Sequence, residues 1–199
     1  MKADEAAEMM DKDKEQDRFK KRAAIGIAIL AMLLAITGLG GNNATKEALN
    51  ENILASNFYN FFQAKNMRQT AYILAADELE LAWTKDSTLP AEARTALAAK
   101  AEAYKKTIAR YESEPETNEG KKELLQRARG HEEKRNHALK QDPYFDYAEA
   151  LLQIAIVLIS VAIVAEQVWL SFIGGGLGLI GALLMLNGFL MLVELPFLS

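Results

Sequence analysis

The 199-residue sequence has no cysteine and only two histidines. Without cysteine there is no disulfide framework, no thiolate metal site and no thiol nucleophile. His131 and His137 lie six residues apart in a polar stretch, a spacing that lacks the i, i+4 pair of helical metal sites. Both read as solvated surface residues, and no metal or other cofactor is expected. A basic excess is also missing. Residues 40–147 carry 16 Lys and Arg against 17 Asp and Glu, which leaves no basic face for nucleic acid. Residues 148–199 contain no Lys or Arg at all, and their only acids are Glu149, Glu166 and Glu194. No P-loop, dinucleotide fingerprint or nucleophile elbow occurs, so no enzymatic activity is expected.

What is present is apolar sequence gathered into blocks. Residues 23–39 form an uncharged run that ends at Gly38-Leu39-Gly40-Gly41. A second run covers residues 148–165 and a third covers 168–193. About 20 apolar residues cross a hydrocarbon core of roughly 30 Å, and a continuous helix satisfies its own backbone there. The fold class expected is therefore all-α, with three transmembrane helices and a long helical-hairpin or small-bundle insert between the first and second. A charged tail, residues 1–22, precedes the first span; its length, its acids and the lack of a clean cleavage site make that span an uncleaved anchor. Arg18, Lys20, Lys21 and Arg22 abut it, and such a cluster tends to stay cytoplasmic. The N-terminus is then inside and the insert, residues 40–147, outside. The cluster Arg129, Lys134, Arg135 and Lys140 before the second span argues the other way, though long translocated segments are largely exempt from the charge rule.

Within the insert, Asn42, Asn43 and Thr45 supply capping side chains for a long helix. Its apolar stripe is read as Leu54, Phe58, Phe61, Tyr72, Ala75 and Leu79. Lys85 to Pro90 breaks the pattern, with Ser87 or Thr88 placed to cap a second helix. That helix carries Leu97, Ala101, Tyr104, Ile108 and Tyr111, a four-three spacing that makes a coiled-coil-like seam. Residues 112–120 form a polar break, and a third, mostly polar helix fits 121–140. Asp142-Pro143 then signals a new helix start that leads into the second span. Apolar faces this narrow suit burial completed against another subunit.

The run Ala55-Ser56-Asn57-Phe58-Tyr59-Asn60-Phe61-Phe62-Gln63-Ala64-Lys65-Asn66 and the run Asp142-Pro143-Tyr144-Phe145-Asp146-Tyr147-Ala148-Glu149-Ala150 give the chain a specific resemblance. With one span before and two after, it resembles a bacterial membrane family catalogued as a domain of unknown function, number forty-three thirty-seven. The resemblance implies a bacterial inner-membrane location and carries over no catalytic residue or ligand. Members often begin with a tail rich in His and Glu; here residues 1–17 are acidic without histidine, so the tail makes no case for metal.

Three features are candidates for function. Gln63, Lys65 and Arg68 interrupt an apolar face and are either an anion- or partner-binding cluster or snorkelling side chains whose heads reach water. Gly174, Gly178, Gly181 and Gly188 form a small-residue seam for helix packing in the third span, with Asn187 beside it. Asn187 and Gln153 either pair across helix contacts or line a polar path. The leading expectation is a non-enzymatic oligomeric membrane scaffold or accessory subunit in the lipid bilayer, its partner a second copy or another membrane protein. A small channel or transport component and a periplasmic ligand sensor are the alternatives.

Overall fold

The structure, a computed structural model, describes residues 3–85 and 88–196, with side chains from Asp13 onward. Among the described residues four helices follow in order: α1 (Ala3–Lys85), α2 (Ala91–Glu112), α3 (Lys121–Val164) and α4 (Val168–Leu190). Among the described residues there is no strand. Helices α1, α3 and α4 are each long and apolar enough to cross a membrane. The chain divides into two compact units, one of Met1–Ala48 with Asn136–Ser199 and one of Leu49–Arg135.

The expected layout is corrected at both ends of the insert. The first apolar block does not stop at its glycines, because α1 continues unbroken through Gly38, Gly40 and Gly41. Asn42 and Thr45 do not cap a new helix. Asn42 Nδ2 donates to the Gly38 carbonyl at 2.8 Å, and the single Thr45 hydroxyl proton is shared between the Gly41 carbonyl at 3.0 Å and the Asp142 carboxylate, the back-bonding of a helix interior. The glycines answer a packing need instead. A Cβ on Gly40 would lie 2.5 Å from Phe145 Cε1 and 2.8 Å from Phe189 Cζ.

Asp142-Pro143 likewise starts nothing, since Pro143 lies inside α3 and the polar third insert helix and second span are one element. A proline there forgoes one backbone bond and crowds the preceding turn. Packing on both sides holds the helix together: Ala138, Tyr144, Phe145 and Ala148 are all buried, and Asp142 Oδ1 accepts from Thr45 Oγ1 at 2.8 Å. At the start of α2 the cap position is Pro90, with no side-chain cap bond; Ser87 falls outside the described residues. Helix α4 ends at Leu190, three residues short of the expected span, where Met191 takes a left-handed φ of 46°.

The buried face of α1 repeats every seven residues. Ala23, Leu30, Thr37, Ala44, Glu51, Phe58, Lys65, Tyr72 and Leu79 form one row; Ile27, Leu34, Gly41, Ala48, Ala55, Phe62, Gln69, Ala76 and Trp83 form the other. Every one of them is buried or half-buried. Seven-residue spacing is what keeps one seam of a long helix turned toward a partner. Phe61, expected on this face, is 55 % exposed, whereas Phe62 beside it packs inward.

In the first unit, α1 pairs with α3 through Leu30, Ala155, Leu152 and Ile159. The glycine seam of α4 lies on that pair. A Cβ on Gly174 would meet Ile159 Cγ1 at 2.7 Å, one on Gly178 would meet Leu30 Cδ2 at 2.6 Å, and one on Gly181 would meet Leu152 Cγ at 3.0 Å. Gly188 faces the Phe145 ring. In the second unit, α2 runs antiparallel to the end of α1: Glu80 pairs with Lys105, and Tyr72 packs edge-on against Tyr104 and Tyr111 at 5.2 and 5.8 Å. After the break, α3 takes over the same seam, with Phe58 and Glu51 against His131, and beside it Arg135 donates to Asn52.

Candidate functional site

The seven-residue seam contains all four of the buried polar residues of the described chain: Thr37, Glu51, Lys65 and Gln69. Thr37 satisfies itself on the Leu33 carbonyl at 2.8 Å. The other three lie in the second unit, where they organise the contacts of α1 with α2 and α3.

Lys65 is 7 % exposed, too buried for a cation to remain without a partner. Its Nζ donates to Glu114 Oε2 at 3.3 Å, lies 4.0 Å from Glu119 and sits 5.5 Å from the centre of the Tyr111 ring. One turn along, Gln69 uses both ends of its amide. Nε2 donates to the Ile108 carbonyl at 3.0 Å and to Glu112 at 3.2 Å, while Oε1 accepts from Lys121 Nζ at 2.6 Å. Gln69 thereby joins the end of α2 to the start of α3. About four turns toward the N-terminus from Lys65, Glu51 is paired with His131 Nδ1 at 2.5 Å. The His131 ring stacks on Phe58 with centroids 5.3 Å apart, and the Arg127 guanidinium lies 4.2 Å from the Phe58 ring centre. Tyr59 donates to Glu132 at 2.8 Å, and that bond raises the phenol above its usual range.

The break between α2 and α3 is also held by side chains. Glu123 accepts from Ser113 Oγ at 2.6 Å and from the Glu114 amide at 3.1 Å. A Cβ on Gly120 would come within 2.6 Å of Ser113 Cα, so the chain can close here only on glycine. The Ser113 hydroxyl and then the Glu114 amide hold the Glu123 carboxyl below the usual glutamate value. Gln69, assisted by Lys121, does the same for Glu112 against an opposing desolvation effect. Lowered carboxylate values stabilise the fold fully above the unfolded value and lose that contribution as pH falls through the folded one. The thermal midpoint should therefore drop on the acid side, from roughly pH 4.3 downward. Glu123→Gln should lower the midpoint at neutral pH and flatten the acid decline, as read by circular dichroism across a pH series.

These positions only partly coincide with the expected ones. Lys65 is on the seam, but Gln63 and Arg68 are exposed, so the three do not form one cluster. His131 is not a solvated histidine: its side chain is 21 % exposed and is held by Glu51 and Phe58, whereas His137 is exposed. Ala101 is buried and Leu97, Tyr104, Ile108 and Tyr111 are half-buried, and the two tyrosines reach Tyr72 of the same chain. Asn187 lies in the last turn of α4, where its Nδ2 donates to the Val193 carbonyl at 2.8 Å and its Oδ1 accepts from the Val193 amide at 3.0 Å. Tyr144 closes the same turn, donating to the Val193 carbonyl and accepting from the Leu195 amide at 2.8 Å. Gln153 donates to Glu149 at 3.0 Å. Glu51, Gln69, Glu114 and Lys121 were not among the expected residues. Counting back in sevens from Tyr72 reaches Lys65, Phe58 and Glu51, and from Ala76 it reaches Gln69; Glu114 and Lys121 lie beyond α1 and carry no such signal.

The arrangement defines an all-α protein with three helices able to cross a membrane and a densely charged second unit in which α1 meets α2 and α3 through buried polar pairs. The chain belongs to the family described as a domain of unknown function (DUF4337), whose match runs over residues 19–191. No curated protein and no solved structure matches it.

Proposed function

We propose that this chain is a non-enzymatic scaffold or accessory subunit of the bacterial inner membrane that assembles with further copies of itself. Its N-terminus lies in the cytoplasm and its charged helical unit in the periplasm. The carrying observation is a second stripe on α1: Ile53, Met67, Leu74 and Leu81 are 59, 71, 60 and 51 % exposed. They share one position of the seven-residue repeat, two residues on from the buried row of Glu51, Lys65, Tyr72 and Leu79. Two residues correspond to about 200° around a helix, so the stripe lies opposite the seam already filled by α2 and α3. Large apolar side chains repeated on a solvated face mark an interaction surface.

A second copy suits this stripe better than a charged partner. From Ile53 to Leu74 this row and the adjoining row of Asn57, Ala64 and Ala71 hold only these three and Asn60 between the large residues, and no charge. An asparagine amide both donates and accepts, so Asn60 can pair with its own counterpart across a two-fold coiled-coil contact, where a lysine or glutamate would repel itself. A channel would need Asn187 and Gln153 to line a path, but their amides are engaged by Val193 and Glu149. A ligand sensor would use Lys65 together with Arg68, but Lys65 is buried and neutralised by Glu114 while Arg68 lies on the exposed face.

Native mass spectrometry of protein extracted gently from its own membrane should give a defined homo-oligomer. The double variant Met67→Glu, Leu74→Glu should give single chains with unchanged helix content. An unchanged particle mass would exclude the stripe as the contact, and release as a single chain bound to a different protein would favour the accessory-subunit form.

A further inference from the structure

We infer that the first unit holds a binding site for an anionic phospholipid in a cleft of about 660 Å³ at the N-terminal side of the first apolar block. Arg18 and Arg22 lie one turn apart on α1 and both line it. Neither guanidinium has an ion pair among the described residues, whereas the neighbouring Lys20 is committed to Glu166 at 3.3 Å. The rest of the wall is mainly apolar: Phe19, Gly26, Ile159 and Phe172.

The two ends of the cleft ask for different chemistry in one ligand. Arginines one helical turn apart on one cleft wall offer two planar, multiply donating groups to a single ligand, the chemistry that grips phosphate. Glu15, which also lines the cleft, subtracts one charge and leaves it net positive. Toward Gly26 and Ile159 the chain enters its uncharged run, so whatever follows the phosphate must be hydrocarbon. A phosphodiester headgroup with its acyl chain meets both demands, and basic residues beside a membrane span favour anionic over zwitterionic lipid. Gly26 keeps the acyl end open. A Cβ built there meets nothing within 4 Å, so a side chain at this position would enter the cleft rather than strain the helix.

The site rests on the membrane reading above but not on self-assembly. The full-length protein, delipidated in mild detergent, would be titrated with phosphatidylglycerol and, separately, phosphatidylcholine, and bound lipid per chain counted by native mass spectrometry. The wild type should retain phosphatidylglycerol preferentially. Arg18→Gln with Arg22→Gln should cut that preference by roughly tenfold or more. Gly26→Leu, which leaves every charge in place, should abolish retention, while Lys21→Gln, outside the cleft, should leave it nearly intact. Circular dichroism would confirm that each variant remains folded.

Retention unaltered by the arginine pair overturns the site. Retention unaltered by Gly26→Leu overturns it as well, because surface charge alone would then explain binding. Inorganic phosphate that raises the thermal midpoint as much as phosphatidylglycerol does removes the acyl chain from the argument and overturns the lipid assignment. Loss of the oligomer with lipid still bound would fail the scaffold reading alone.

Discussion

Gly181→Leu and Gly174→Leu are each expected to lift α4 from α3 and cost at least the 1–3 kcal/mol typical of an overpacked core. The neighbours explain why relaxation offers little relief. A Cβ on Gly174 would stand 3.0 Å from the Ala155 carbonyl oxygen, and one on Gly181 would stand 3.1 Å from that of Ala148. Both oxygens belong to the backbone of α3, so a whole helix must move rather than a side-chain tip. The three further carbons of leucine then have no space on a face where Ala148, Leu152 and Ala155 are fully buried. Gly175 and Gly176, one and two residues away, meet nothing within 4 Å, and Gly176→Leu should be close to neutral. Thermal unfolding in mild detergent would read the contrast. Equal losses at Gly176 and Gly181 would mean that helix flexibility, not close approach, is what these glycines provide.

Breaking the Lys65–Glu114 pair from one side is the second large effect. Glu114→Gln leaves an ammonium whose side chain is only 9 % exposed, with Glu119 at 4.0 Å as its remaining counter-charge. Removing one partner of a buried pair commonly costs about 3–5 kcal/mol; the partial exposure of Glu114 and the second glutamate lower the expectation to about 2–3 kcal/mol. Replacing both members, with Lys65→Met and Glu114→Leu, should recover most of that loss, because two well-packed apolar side chains carry no desolvation penalty. A double-mutant cycle on thermal or denaturant midpoints measures the coupling. A double variant as unstable as Glu114→Gln would show that the pair contributes more than mutual neutralisation. The polar seam then has a role beyond stability. With Lys65, Gln69 and Glu51 each matched to a single partner set, a slip of α2 or α3 along α1 would leave buried polar groups unpaired.

Much of this was legible in the residues. The three apolar blocks, the helical insert and the polar break at 112–120 follow from segregation of charge and from period. The outer stripe and inner seam of α1 were harder to separate. Exposed Phe61 and Leu74 look like core, while buried Glu51, Lys65 and Gln69 look like surface. An apolar stripe drawn through the large hydrophobics therefore lands part-way between the two faces. The lipid cleft was out of reach for a different reason. Arg18 and Arg22 were visible as a charge cluster, but Ile159 and Phe172, which complete the wall, are more than 130 residues away in the chain.

Local sequence determined by itself that this is a helical chain with three stretches able to cross a membrane, because hydropathy and helix propensity need no partner to act. Only the tertiary structure decided where those helices end. Gly38-Leu39-Gly40-Gly41 and Asp142-Pro143 are breaking signals worth roughly 1–3 kcal/mol each in isolation. In the folded chain the Phe145 ring rests against Gly40 and Gly41, and Thr45 donates to Asp142. Each signal thus becomes a contact of the other helix. The burial of Tyr144, Phe145 and Ala148 outweighs the local preference to break, and α1 and α3 run straight through.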